Sequence, residues 1–181
     1  MKILVTFFLY FLLIFNSFAN DRESELNKLF NELKTNDLSS AYEIEQKIWN
    51  IWTTHPNDPN ISNLLTIGTN LMSQDKLFEA KIIFSDIIKL DPSWAEAWNK
   101  RATVLYLLGS YKESQMDIDK VLQLEKRHFG ALSGQGLVQI KLKNYEKALK
   151  SYKKVEIIYP SMRSPKVMIP KIIELINKST I

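Results

Sequence analysis

The strongest constraint in this sequence is an internal period of 34 residues. Three windows follow one another without a gap, at 61–94, 95–128 and 129–162. Small side chains hold the eighth and twentieth places of each window, and large apolar side chains hold the fourth, seventeenth and twenty-fourth. In window order these places hold Leu64, Trp98 and Leu132 (fourth), Gly68, Ala102 and Gly136 (eighth), Leu77, Tyr111 and Tyr145 (seventeenth), Ala80, Ser114 and Ala148 (twentieth), and Phe84, Ile118 and Tyr152 (twenty-fourth). A period of this length is typical of a structural unit that buries its apolar face by stacking on its neighbours.

Each window is predicted to form two antiparallel helices. Turn-forming pairs stand in the middle of each window, at Gln74-Asp75, Gly109-Ser110 and Lys143-Asn144. Pro92 and Pro160 end the second helix of the first and third windows, because proline cannot continue a helix. Small side chains at the eighth and twentieth places let the two helices approach closely. Few glycines and prolines argue against an all-β fold, which needs many tight turns.

This spacing and these residue types resemble the tetratricopeptide repeat over residues 61–162. The resemblance implies an all-α helix-turn-helix solenoid, a superhelix in which the first helix of each repeat lines a concave groove. We predict six segments: a signal peptide (1–19), a degenerate N-terminal repeat with its linker (20–60), three regular repeats (61–94, 95–128 and 129–162) and a C-terminal capping helix (163–181).

The two flanking segments follow the repeat pattern less closely. Asn36-Asp37-Leu38 and Ala41 echo the turn and the second helix, but Leu29 holds the eighth place, where the other windows have a small residue. Pro56–Asn60 is interpreted as a five-residue insertion. The N-terminal repeat is therefore predicted to be degenerate.

The C-terminal segment has two proline signals. Ser164-Pro165 is an N-cap and first-turn signal, and Pro170 is expected to restart a short helix. That helix carries Ile172, Ile173, Leu175 and Ile176. It is expected to cover the last repeat, with Ile173 or Ile176 left exposed.

The first residues have the layout of a secretory signal peptide. Lys2 precedes an apolar run from Ile3 to Phe15, and Ser17 and Ala19 form a small-x-small cleavage site before Asn20. The run is shorter than the roughly 20 residues that span a bilayer. We therefore expect cleavage after Ala19 and export to the periplasm. The alternative is an uncut segment that anchors the protein in the membrane.

Composition narrows the chemistry. The chain has no cysteine, which excludes disulfides, thiolate metal sites and a cysteine nucleophile. Its net charge of +4 comes from basic residues interspersed with acidic ones, unlike the basic face of a nucleic-acid binder. The only histidines, His55 and His128, have no partner that spacing alone can name. We predict that the protein is not an enzyme and needs no metal, cofactor, nucleic acid or small-molecule substrate.

Three of the five glycines lie between His128 and Leu137, in a stretch that otherwise reads as helix. Gly136 holds an eighth place and is explained by helix packing. Gly130 and Gly134 are four residues apart, so they share one face of the helix. That face either accommodates a neighbouring side chain or leaves space for a ligand. A phosphate-binding glycine loop is rejected, because no strand precedes it and no Lys-Ser/Thr follows it.

The resemblance places a mixed set of residues along the groove. They are Leu65, Thr69, Glu96, Asn99, Lys100, Thr103, Tyr106, Gly130, Ser133, Gly134, Leu137 and Lys141. Some family members clamp a partner's C-terminal carboxylate with Lys, Asn and Arg side chains. At the matching places this chain has Leu65, Thr69, Lys100, Gly130 and Gly134, so the clamp is expected to be absent.

A structural polar seam is predicted between helices. Arg101 holds the seventh place, where the first repeat has Ile67, and Gln135 holds it in the third repeat. A buried arginine needs a partner, and Glu113 and Asp117 are the candidates. Our hypothesis is a seam of Arg101, Asp117 and Gln135 that fixes packing.

These features predict a protein- or peptide-binding adaptor that contributes no chemistry. The chain resembles the small periplasmic repeat proteins of Gram-negative bacteria, which implies a role in the cell envelope and contact with the membrane only through the signal segment. The alternative is a structural subunit or assembly factor that docks through its terminal or convex faces.

Overall fold

The computed structural model describes residues 21–34 and 38–179, and all regular structure in this part of the chain is helical. The expected all-α fold is therefore confirmed. The signal peptide, its cleavage site and the turn residues Asn36 and Asp37 lie outside the described residues. The helices are α1 (21–34), α2 (Leu38–Thr53), α3 (Pro59–Ser73), α4 (Leu77–Leu90), α5 (Ala95–Leu107), α6 (Tyr111–Leu124), α7 (Phe129–Lys141), α8 (Tyr145–Ile158) and α9 (Arg163–Ser179).

The chain divides into two compact units, Met1–Ile51 and Trp52–Ile181. In the first unit, both helices show the three- and four-residue spacing of apolar side chains that is typical of an amphipathic helix. The buried side chains are Leu26, Leu29, Phe30 and Leu33 on α1, and Ala41, Ile44 and Ile48 on α2. Arg22, near the start of α1, donates a hydrogen bond to the carbonyl of Ile51.

In the second unit each helix packs on the next along the chain, from α3 to α9, and the first helices α3, α5 and α7 also contact one another in order. The small eighth-place residues make the close pairing within each repeat possible. A Cβ on Gly68 would lie 2.6 Å from Cε1 of Phe84, and a Cβ on Gly136 would overlap the Tyr152 ring. In the first and third repeats, the aromatic ring at the twenty-fourth place therefore fills the space that a side chain at the eighth place would need.

The turn inside each repeat has the same backbone geometry. Asp75, Gly109 and Lys143 have φ values of 61°, 77° and 60°, in the left-handed region. The next residue's amide donates back across the helix end, as Lys76 does to the Leu71 carbonyl at 2.9 Å. This arrangement satisfies the last carbonyls of the first helix.

Three expectations about helix limits were wrong. Ser164 is not the N-cap of α9, because the helix begins at Arg163 and the Ser164 hydroxyl has no hydrogen-bond partner among the described residues. Pro59 and Asn60 belong to α3 and not to an insertion, because Asp58 is the N-cap and its side chain accepts from the Asn60 amide at 2.8 Å. Proline suits this first helical position, where its missing N–H has no helical partner. Pro170 does not restart a helix, since it lies within the continuous helix α9.

The side of α9 that faces the last repeat explains this continuity. Ile172 is fully buried in a cluster with Ala148 and Tyr152, while Met168, Ile169 and Ile176 pack around them. This burial offsets the hydrogen bond that Pro170 removes. The helix covers the end of the array as expected, and Ile173 remains 43% exposed.

The predicted polar seam forms in part. Arg101 Nε and Nη2 each donate to an Asp117 carboxylate oxygen at 2.7 Å, and Nη1 donates to Ser85 Oγ at 3.2 Å. Gln135 does not join them. Its Oε1 accepts from Ser151 Oγ at 2.8 Å, in the same register one repeat later. In the second and third repeats, the second helix of the same repeat therefore supplies a hydrogen-bond partner for the seventh-place side chain.

We predict that Arg101→Met lowers the free energy of unfolding by about 2–4 kcal/mol, because the Asp117 carboxylate would stay buried without its partner. Only 6% of the Asp117 side chain is exposed. The double variant Arg101→Met/Asp117→Leu should recover most of the loss, since no charge is then buried. Urea denaturation measures both. An unchanged or raised stability for the single variant would contradict a required pair.

Candidate functional site

The groove side of the array contains a cavity of about 230 Å³ between α5, α6 and α7. Its lining brings together many of the residues expected in the groove: Asn99, Thr103, Tyr106, Gly130, Ser133, Gly134 and Leu137. Ala102, Ile118 and Val138 form much of the apolar floor. A single face thus combines an apolar floor with a few polar groups, as binding sites commonly do.

Gly134 is the residue that leaves space in this cavity. A Cβ built at Gly134 would have one neighbour within 4 Å, Ile118 Cδ1 at 3.8 Å, which is an ordinary contact. Gly136, two residues later, has no such room because Tyr152 fills it. Close packing therefore explains Gly136 and does not explain Gly134.

The polar groups of the cavity are held by bonds within the first helices. Asn99 Nδ2 donates to Glu96 Oε2 at 3.1 Å, and Thr103 Oγ1 donates to the Asn99 carbonyl at 3.0 Å. Tyr106 packs in a tilted arrangement on Tyr111, with ring centroids 5.5 Å apart. The Ser133 hydroxyl is buried and has no hydrogen-bond partner among the described residues.

The other expected groove residues lie elsewhere. Leu65 is buried in the apolar core of the first repeat, so the prediction that it lines the groove was wrong. Thr69 donates to the Leu65 carbonyl and is half-buried. Lys100 Nζ lies 3.4 Å from Glu96, and Lys141 is exposed at the end of α7. None of these side chains lines the cavity.

Glu96 was also wrongly assigned to the groove, because it is only 1% exposed. Its Oε2 lies 3.0 Å from Nε2 of His128, which is fully buried. The other ring nitrogen of His128 accepts from the Ala131 amide at 3.1 Å and so caps α7. Trp52 stacks on the imidazole with ring centroids 4.0 Å apart. The pair therefore fixes the start of α7.

His55 has a similar structural role before α3. Its Nδ1 accepts from the Asp58 amide at 3.0 Å, which leaves Nε2 to donate to Asp91 Oδ2 at 2.9 Å. Burial alone would raise the pKa of Asp91, but hydrogen bonds from Ser93 and His55 outweigh it and lower that pKa. Asp91 therefore remains an anionic acceptor. Sequence reasoning missed both histidine partners, which lie more than thirty residues away along the chain.

Two further observations concern the chemistry of the described side chains. No group of three or more His, Cys, Asp or Glu side chains among them could hold a metal ion. Burial, with a smaller contribution from Tyr106, raises the pKa of Tyr152 to about 12. This phenol therefore stays neutral where it packs against Gly136.

No helix within 21–34 or 38–179 is long and apolar enough to cross a membrane.

Comparison with known proteins agrees with this geometry. Residues 130–161 match the model of the tetratricopeptide repeat family. A tetratricopeptide repeat-containing protein of Rhizobium etli is 33% identical over 153 residues, which cover 81% of this chain and 72% of that protein. The chain belongs to the tetratricopeptide repeat family, and the resemblance in its sequence is confirmed.

Other relatives match a shorter part of the chain. Hsp70-Hsp90 organizing protein 1 of Glycine max is 30% identical over 113 residues, which cover 62% of this chain and 20% of that protein. Among solved structures, the first repeat domain of Spaghetti (RPAP3), bound to the HSP90 peptide SRMEEVD, superimposes with a TM-score of 0.63 at 21% identity, over 65% of this chain and 93% of that one. The Sgt2 domain from Aspergillus fumigatus gives a TM-score of 0.65 at 16% identity, over 68% and 83%. At these identities the structures show the fold.

We predict that Gly134→Ala raises the free energy of unfolding by about 0.5–1 kcal/mol, because alanine favours the helix and its methyl group has room. Gly136→Ala is the matched control and should be destabilising, since its methyl group would collide with Tyr152. Thermal and urea denaturation compare them. Destabilisation by Gly134→Ala would show that the cavity does not exist in solution.

Proposed function

We propose that this protein is a non-catalytic adaptor that holds a protein or peptide segment against α5 and α7. The observation that carries the proposal is the cavity beside Gly134, which neither packing nor helix propensity explains. The solved RPAP3 domains of the same fold are bound to HSP90 and HSP70 peptides, which supports a peptide as the ligand class.

The partner is not expected to be a chaperone tail held by its terminal carboxylate. Leu65 is buried, and Gly130 and Gly134 have no side chain to offer a carboxylate. Lys100 is the one charged residue at the matching places, and it lies beside the buried Glu96. The groove therefore favours a ligand recognised by shape and by a few polar contacts.

A structural role is the second candidate, favoured by apolar side chains exposed in the first repeat and on α9. Ile67 and Leu90 are about half or more exposed, and Ile173 is exposed on α9. Large apolar side chains left exposed at the ends of an array can mark an interface. Such an interface would join the array to another protein through its terminal faces.

One capture experiment separates the two functions. We predict that immobilised residues 20–181 retain a partner from the producing organism's envelope, and that Gly130→Leu/Gly134→Leu loses it while Ile173→Asp keeps it. Leucine side chains would fill the cavity, whereas Ile173 lies outside it. Circular dichroism checks that each variant folds. The opposite pattern, with loss only for Ile173→Asp, would establish docking through α9.

We also propose that the mature protein acts in the cell envelope, after cleavage behind Ala19. Residues 1–30 fused to an alkaline phosphatase without its own leader should give active enzyme, because that enzyme needs the oxidising periplasm to form its disulfides. Leu9→Arg/Leu12→Arg should abolish this activity by interrupting the apolar run. Edman sequencing of the secreted fusion should start at Asn20. An intact, membrane-bound fusion would establish the anchor instead.

A further inference from the structure

We propose that the cavity between α5 and α7 receives one large apolar side chain of the bound segment, and that Lys141 binds a carboxylate about three residues from it. The ligand class is thus an extended acidic peptide with an apolar anchor. This inference rests on the proposed function and specifies its ligand.

The size and lining of the cavity define the anchor. Its volume of about 230 Å³ is below the 300–1,000 Å³ of pockets for drug-sized ligands, which suits a single side chain. Ile118, Leu137 and Val138 line it with aliphatic groups. Burying a charged side chain among them would be unfavourable, because no opposite charge lines the cavity.

The charges of the groove-facing helices define the flanking residue. Glu96 is the only carboxylate on α3, α5 and α7, and it is buried against His128, Asn99 and Lys100. Lys141 is exposed, and no described residue pairs with it. The face therefore presents a cation without an exposed anion, which attracts an acidic segment and disfavours a basic one.

The spacing follows from helix geometry. Gly134 and Lys141 are seven residues apart, which at 1.5 Å per residue places their Cα atoms about 10 Å apart along α7. An extended peptide covers this distance in about three residues, at roughly 3.3 Å each. A carboxylate three residues from the anchor would therefore lie beside Lys141.

Ser133 provides a contact for the peptide backbone. Its hydroxyl is buried in the cavity wall without a partner, whereas Thr69 and Thr103 each donate to the carbonyl four residues earlier. Buried polar groups without partners are uncommon in native proteins. Rotation of the Ser133 side chain toward the groove would let a peptide amide or carbonyl complete its hydrogen bonding.

The test is selection from a random dodecapeptide display library on immobilised residues 20–181, followed by fluorescence anisotropy with the enriched peptides. We expect enriched peptides to pair a large apolar residue with Asp or Glu at two to four residues. Gly134→Leu should abolish their binding, because its side chain would fill the cavity. Lys141→Glu should weaken binding about three- to tenfold at low salt and less at high salt. Lys153→Glu, on the second helix of the same repeat, is the matched charge control.

The outcomes separate this inference from the proposed function. Peptides that bind through the cavity but lack the acidic residue, and ignore Lys141→Glu, overturn the carboxylate contact alone. Peptides that still bind Gly134→Leu overturn the anchor and place the ligand elsewhere, although the protein remains a peptide binder. Failure to enrich any peptide, with a folded bait, overturns this inference and the peptide groove together.

Discussion

The structure depends on the contact between a small residue on the first helix of a repeat and an aromatic ring on the second. Gly68 and Phe84 form this contact in the first repeat, and Gly136 and Tyr152 form it in the third. The rings are fully buried, and each fills the volume that a methyl group would otherwise take. Because protein interiors are close-packed, this contact sets the distance between the helices and hence the groove face.

The same rule explains why the second repeat differs. Ala102 replaces glycine there, and Ile118 replaces the ring. Ser114 adds a bond that the other repeats lack, since its hydroxyl donates to the Ala102 carbonyl at 2.7 Å. Ile118 is smaller than an aromatic ring and lines the cavity beside Gly134. The candidate binding site thus lies beside the repeat whose central pair is Ala102 and Ile118.

The fold and part of the site could be predicted because they depend on the 34-residue period of the sequence. The place in a 34-residue window determines which residues are small, which are core and which share the groove face. The bond between Arg101 and Asp117 was anticipated for the same reason, since residues sixteen apart meet in every repeat. Gln135 was misassigned because this register pairs it with Ser151 rather than with the preceding repeat.

The remaining site features depend on contacts that no period encodes. Glu96 is buried because its carboxylate hydrogen-bonds to His128, thirty-two residues later. His128 points inward because its other ring nitrogen caps α7. Pro170 remains helical because the apolar side of α9 has α8 to pack on. In both cases a tertiary contact overrides a local preference.

The two polar pairs also give neighbouring repeats different chemical identities. The second repeat has Arg101 and Asp117 at its seventh and twenty-third places. The same two places hold Gln135 and Ser151 in the third repeat, and Ile67 and Ile83 in the first. If a folding chain docked a first helix on the second helix of the wrong repeat, a carboxylate would face an amide or an isoleucine and Arg101 would lose its counter-ion. Misassembly between similar units is a characteristic failure of repeat proteins. In this array, the order of the repeats is therefore specified by charge as well as by connectivity.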